Sequence, residues 1–172
     1  MTEARFWQIV GESVGNGADQ LSQAAALRAA LDRLTPQEIE AFAGVFDELM
    51  RRSYRWDLWG AGFVLEGGMS DDGFEYFRRW LISRGEAAFD KVSADPDSLV
   101  DIIPDDHDGE FEFEEFRYVA DEAWAKKTGR DPATMPNRAR PYSTDPAGTP
   151  FTEDPAALKK RYPKLWARFG AD

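Results

Sequence analysis

Apolar residues recur every three or four positions along most of this chain, the spacing that lines one face of an α-helix. Phe6, Trp7, Ile9 and Val10 follow a Thr2 cap and predict a first helix that stops near Gly15 and Gly17. Leu21, Ala24, Leu27 and Leu31 predict a second helix over 19–33. The third start is the clearest. In "LTPQEIEAF", Thr35 is placed to cap, Pro36 takes the first helical position and Glu38 sits three residues on. Ile39, Phe42, Phe46 and Leu49 then continue its apolar stripe.

The stretch "YRWDLWGAGFVLEGGMSDDGFEYFRRWL" predicts two helices packed as a hairpin. Tyr54, Leu58, Ala61 and Leu65 share a face over 54–65, where Gly60 and Gly62 let a neighbour approach. Gly67 and Gly68 break the chain, Ser70 caps the restart, and Phe74, Phe77, Trp80 and Leu81 carry the second helix to Gly85. A short "EAAFDKV" helix follows, then an acidic loop, then a helix over 112–127 built on Phe116, Val119, Ala120, Ala123 and Trp124. From 129 to 152, proline, glycine and asparagine remove any sustained period, so an arm is expected, anchored through Tyr142 and Phe151. Asp154 and Pro155 start a tail helix that Pro163 interrupts, and Leu165, Trp166 and Phe169 give it a docking face. The expected architecture is all-α: a helical core over 1–128, a Pro/Gly-rich arm over 129–153, and a tail over 154–172 that docks on the same domain.

Composition narrows the chemistry. The chain of 172 residues has no cysteine, which excludes disulfides, thiolate metal sites and thiol nucleophiles. Its single histidine, His107, excludes any site needing two imidazoles. The net charge of -11 opposes nucleic acid and anionic membranes. No stretch approaches the apolar length of a membrane span, and "MTEARFWQIV" lacks a basic lead and a secretory apolar core. A cytoplasmic protein is expected. Charge is also unevenly placed: eleven acids face one lysine over 90–115, whereas seven basic residues face four acids from Pro136 onward. Either these stretches complement each other in the fold or both are solvated faces.

Carboxylates are the main candidates for chemistry. Asp71 and Glu75 lie one helical turn apart, beside Asp72, and with Glu66 and Asp57 they could offer oxygen ligands to a divalent cation. Helix-start stabilisation by Asp71 and Asp72 and a surface pair between Glu75 and Arg79 account for the same residues without function. Asp57, between Trp56 and Trp59, needs a partner such as Arg55, Arg78 or an indole N–H if it is partly buried. It either serves acid–base chemistry or orients the tryptophans, and Asp57 and Glu75 are the catalytic candidates. Trp56, Trp59, Trp80 and Trp166, with Asp57, Asp71 and Asp72, are the candidates for contact with a ligand or partner. The run "PDDHDGEFEFEE" partly matches a calcium loop through Asp106, Asp108, Glu112 and Glu115, but Pro104 falls where the first carboxylate belongs. His107 reads as a solvated loop residue. No phosphate loop, dinucleotide motif or nucleophile triad is present, and no cofactor is expected.

Four segments carry a family resemblance: "YRWDLWGAGFVLEGGMSDDGFEYFRRWLISRG", "PDSL" over 96–99, "EFRYVADEAWAKKTG" and "YPKLWARFG", with Phe6-Trp7 fitting as well. Together they resemble the bacterial domain-of-unknown-function family 4240. Met69 stands where the family pattern often has cysteine in "GGCSDDGF". The resemblance implies a small helical bacterial protein and brings no activity, substrate or catalytic residue with it. Three functional readings remain open: a helical module that binds a protein or small ligand, a carboxylate-based hydrolase or transferase using magnesium or calcium, and a structural or regulatory homodimer joined through Trp166 and Phe169.

Overall fold

The computed structural model describes residues 1–15, 19–105, 109–136 and 145–170. The expected roles of Gly17, Asp106, His107, Asp108 and Tyr142 fall outside the described residues. Side-chain caps start several helices where the sequence places them. Thr2 accepts the Arg5 N–H at the head of α1 (Glu3–Val14), and Asp19 accepts the Ser22 N–H at the head of α2 (Gln20–Leu31). A reciprocal capping box between Thr35 and Glu38 opens α3 (Pro36–Arg52). Gly67, with φ of 70°, closes α4 (Trp56–Glu66), a left-handed position that favours glycine. Ser70 accepts the Gly73 N–H to start α5 (Asp71–Ser83). Then come α6 (Glu86–Ala94), a 3-10 helix at Pro96–Ile102, α7 (Glu115–Thr128), a second 3-10 turn at Pro132–Thr134, α8 (Pro155–Arg161) and α9 (Pro163–Phe169). The fold is all-α, with no strand among the described residues and one isolated backbone bridge, Arg55 to Ala147.

The centre of the core is α5. Phe74, Phe77, Trp80, Leu81 and Ile82 are all at most 1 % exposed. Helices α1, α2, α3 and α7 pack together on one side, while α4, the Pro96–Ile102 turn and α9 pack on the other. Flat rings stitch α4 to α5: Trp56 lies on Trp59 (5.2 Å between centroids), Trp59 on Phe74 (4.8 Å), and Phe77 on Trp80 (5.8 Å). The Arg78 guanidinium is buried between Tyr54 and Phe74 and donates to the Met50 carbonyl at 2.6 Å, which satisfies a cation that would otherwise be costly there.

Four expectations change. Helix α7 begins at Glu115, not at residue 112. Residues 111–113 are not helical, with Phe111 and Phe113 buried and Glu112 exposed, the two-residue alternation that a strand would show. Leu21, expected on the apolar face of α2, is 75 % exposed. Gln23 takes the buried place and donates to the Ser83 carbonyl at 2.8 Å. The Glu75–Arg79 pair is not a surface pair: the Arg79 side chain is 5 % exposed and also donates to the Glu114 carbonyl at 2.9 Å. Finally, Pro163 does not merely interrupt a tail helix. It occupies the first turn of a separate one, α9, where a missing N–H costs nothing.

Candidate functional site

The 111–113 segment is pinned to α5 by the Phe113 N–H, which donates to the Tyr76 carbonyl at 3.2 Å. Phe111 meets Trp80 edge-to-face at 5.3 Å. These contacts leave the intervening glutamates facing outward, beside the C-terminal end of α4. The result is an open hollow of about 930 Å³. Glu66, Glu110, Glu112, Glu114, Glu115 and Asp105 line it, with Tyr76, Phe111 and Phe169 as its rings. Arg168 is its one cation among the described residues.

Glu66 is the electrostatic extreme of the hollow. Desolvation first, and then the charge of Glu112, push its carboxyl up to about 7. Its position at the C-terminal end of α4 works in the same direction, because that end of a helix is negative. The residue as a whole is exposed to solvent, which moderates the effect. Glu112 lies over the first turn of α5, close enough that a methyl placed on Gly73 would stand 3.0 Å from its Oε1. Glu66 and Glu112 therefore sit between two helix ends, and the charge of Glu112 bears on Glu66.

The residues singled out by sequence scatter. Asp57 pairs with Arg55, whose Nε donates to Oδ1 at 2.9 Å, and Oδ1 also accepts the Leu58 N–H at 2.8 Å. Arg55 in turn donates to the Ser93 carbonyl. Trp56 and Trp59 are half-buried, and the Trp59 indole donates to the Met69 carbonyl at 3.1 Å, fixing the α4–α5 turn. Asp71 and Asp72 are exposed in the first turn of α5, and Glu75 is held by Arg79. Trp80, expected to face a ligand or partner, is instead sealed in the core at 1 % exposure, because α5 is buried around most of its circumference. Trp166 is half-buried against Gly170 and the core. Of the calcium-loop candidates, Glu112 and Glu115 line the hollow. Among the described residues no three acidic or imidazole side chains form a group that could hold a metal ion.

Sequence reasoning missed Glu110, Glu114 and Arg168 as participants. The available signal was the opposed charge of 90–115 and the tail. Arg168 bonds the carbonyls of Ile103 and Pro104 and pairs with Asp105, while Lys164 approaches Asp95 at 3.7 Å.

The family described as "Protein of unknown function (DUF4240)" matches residues 1–126. The chain belongs to this family. Most of the hollow, from Gln20 and Glu66 to Glu115, lies within the DUF4240 match, whereas Arg168 and Phe169 come from beyond it. Comparison with curated proteins and with solved structures returns no match. Among the described residues no helix is long and apolar enough to cross a membrane.

Proposed function

We propose that this chain is a binding module whose hollow takes a lysine- or arginine-rich segment of another protein. The observation that carries this reading is the open hollow itself, about 930 Å³ with six carboxylates spread along its walls among the described residues. Spread acids suit the distributed charge of a basic peptide better than one small ion, which needs ligands converging on a point. Tyr76, Phe111 and Phe169 add ring faces or edges against which a guanidinium or lysine stem can pack. The net charge of -11 steers a basic partner toward the protein from a distance. One copy of the chain carries the whole hollow, so the reading needs no homodimer. The bacterial cytoplasm suits a cysteine-free chain with such a role.

Titrating a fluorescent lysine/arginine-rich peptide into the protein at low salt tests the reading. Saturable binding is expected, with affinity at least about tenfold weaker for the Glu66→Gln/Glu110→Gln/Glu112→Gln variant and falling steeply as salt is added. Equal binding by that variant, or equal binding of a neutral peptide of the same length, would refute it.

A further inference from the structure

The two walls of the hollow are fastened in different ways. One wall is fixed to α5, the central helix, through the Phe113 N–H on Tyr76, the Phe111 ring on Trp80 and the Arg79 guanidinium on the Glu114 carbonyl. The opposite wall, Ile103 to Asp105, is fastened to the C-terminal segment. Arg168 Nη1 donates to the carbonyls of Val100 (3.3 Å) and Ile103 (2.8 Å), and Nη2 to that of Pro104 (2.8 Å). These carbonyls lie at and just past the end of the Pro96–Ile102 turn, where a helix leaves acceptors unpaired.

The other end of α9 is locked to the start of the same Pro96–Ile102 turn. The Asp97 carboxylate, 7 % exposed, accepts the N–H groups of Lys164 (3.1 Å) and Leu165 (3.0 Å). Just before it, the buried Tyr162 hydroxyl donates to the Asp57 carbonyl at 2.8 Å. Helix α9 is only seven residues long, so a lock at one end bears on the other within two turns.

We propose that α9 is a latch that ties docking of the C-terminal segment to the position of the Ile103–Asp105 wall, and so sets the width of the acidic hollow. The hollow's role as a peptide site rests on the reading above, but the latch does not. Arg168 acts here as a positioning residue. Two of its main-chain partners, the Ile103 and Pro104 carbonyls, belong to the wall and the third, Val100, to the turn that leads into it. Its ion pair with Asp105 holds the same wall, so Arg168 braces the wall. Anything that frees the N-terminal end of α9 loosens a wall it does not touch.

Amide hydrogen exchange and amide chemical shifts, read by NMR on the full chain without ligand, test the latch. Asp97→Ala is expected to speed exchange about tenfold or more in 163–170 and also to shift the amide resonances of Ile103 and Asp105, while Phe113, held by α5, stays protected. Faster exchange in 163–170 with Ile103 and Asp105 unchanged would overturn the proposal. Arg168→Gln reads the same coupling in reverse and does not disturb a buried carboxylate. It should shift the amide resonances of Ile103 and Asp105 and also speed exchange at Lys164 and Leu165, and an effect confined to the wall would equally overturn it. A lysine/arginine-rich peptide added to wild type separates the two ideas. Absence of binding sinks the peptide reading, while the ligand-free NMR still decides the latch. Binding that weakens in Asp97→Ala, a residue outside the hollow, supports both.

Discussion

Glu66 and Asp57 are both carboxylates near the ends of α4, yet their surroundings give them opposite characters. Glu66 ionises near 4.5 in an unfolded chain and is held protonated up to about 7 in the folded one. As pH falls through 7, the folded state takes up this proton while the unfolded state remains ionised, so stability rises until pH nears 4.5. With solvent access allowed for, the gain is on the order of 1 kcal/mol. Asp19 and Glu38, held low by bonds from Ser22 and Thr35, lose their contributions only below the ordinary carboxylate range and do not mask this window. Chemical denaturation between about pH 8 and pH 5 should show this rise in wild type and its loss in Glu66→Gln. Parallel curves would show that Glu66 is an ordinary surface acid. A basic peptide prefers the ionised form, so its affinity should fall over the same interval. At Asp57, by contrast, the carboxylate is about one-third exposed and tied to Arg55. Asp57→Asn keeps an acceptor for the Leu58 N–H and should cost about 0.5–1 kcal/mol without altering peptide affinity. A large loss of binding in that variant would return Asp57 to the functional site.

Elements were legible wherever a cap and a 3.6-residue stripe agreed. Thr35, Pro36 and Glu38 fixed the start of α3 because cap chemistry is local, and Ser70 did the same for α5. The misses occurred where local chemistry is silent or points the other way. "EFEFEE" has the two-residue alternation of an extended segment, but glutamate's helical preference hid it, and what holds the segment is contact with α5 through Tyr76, Trp80 and Arg79. The hollow was illegible for the same reason, since its walls come from segments brought together by packing. Gly60 shows how far such packing reaches. A methyl there would collide with the Tyr162 hydroxyl and stand 3.0 Å from the Phe151 ring. Gly60→Ala should therefore lose stability, overpacking of about 1–3 kcal/mol exceeding a helix-propensity gain of about 1 kcal/mol. Thermal unfolding measures the balance. A more stable variant would mean that Tyr162 gives way freely and that the tail is loosely seated.

Across the whole molecule the question is how much of the fold belongs to the tail, which lies beyond the 1–126 family match. Leu158, Tyr162 and Leu165 are each at most 3 % exposed, with α9 closing over α4 and the Pro96–Ile102 turn and α8 packing on α9. Burying side chains of this kind stabilises by about 1.5–3 kcal/mol apiece before the cost of ordering the segment. A domain of ordinary stability has about 5–15 kcal/mol in all, so even half of the gross gain is a large share. Deleting the chain from Asp154 onward should accordingly lower Tm by about 10 °C, and more if the uncovered face of α4 invites association. The loss should exceed that of Asp97→Ala, which unlocks α9 but leaves Leu158 free to dock. Calorimetry on the three proteins checks this order. An unchanged Tm on deletion would mean that residues 1–153 fold without the tail's help, leaving α9 to act on the hollow alone.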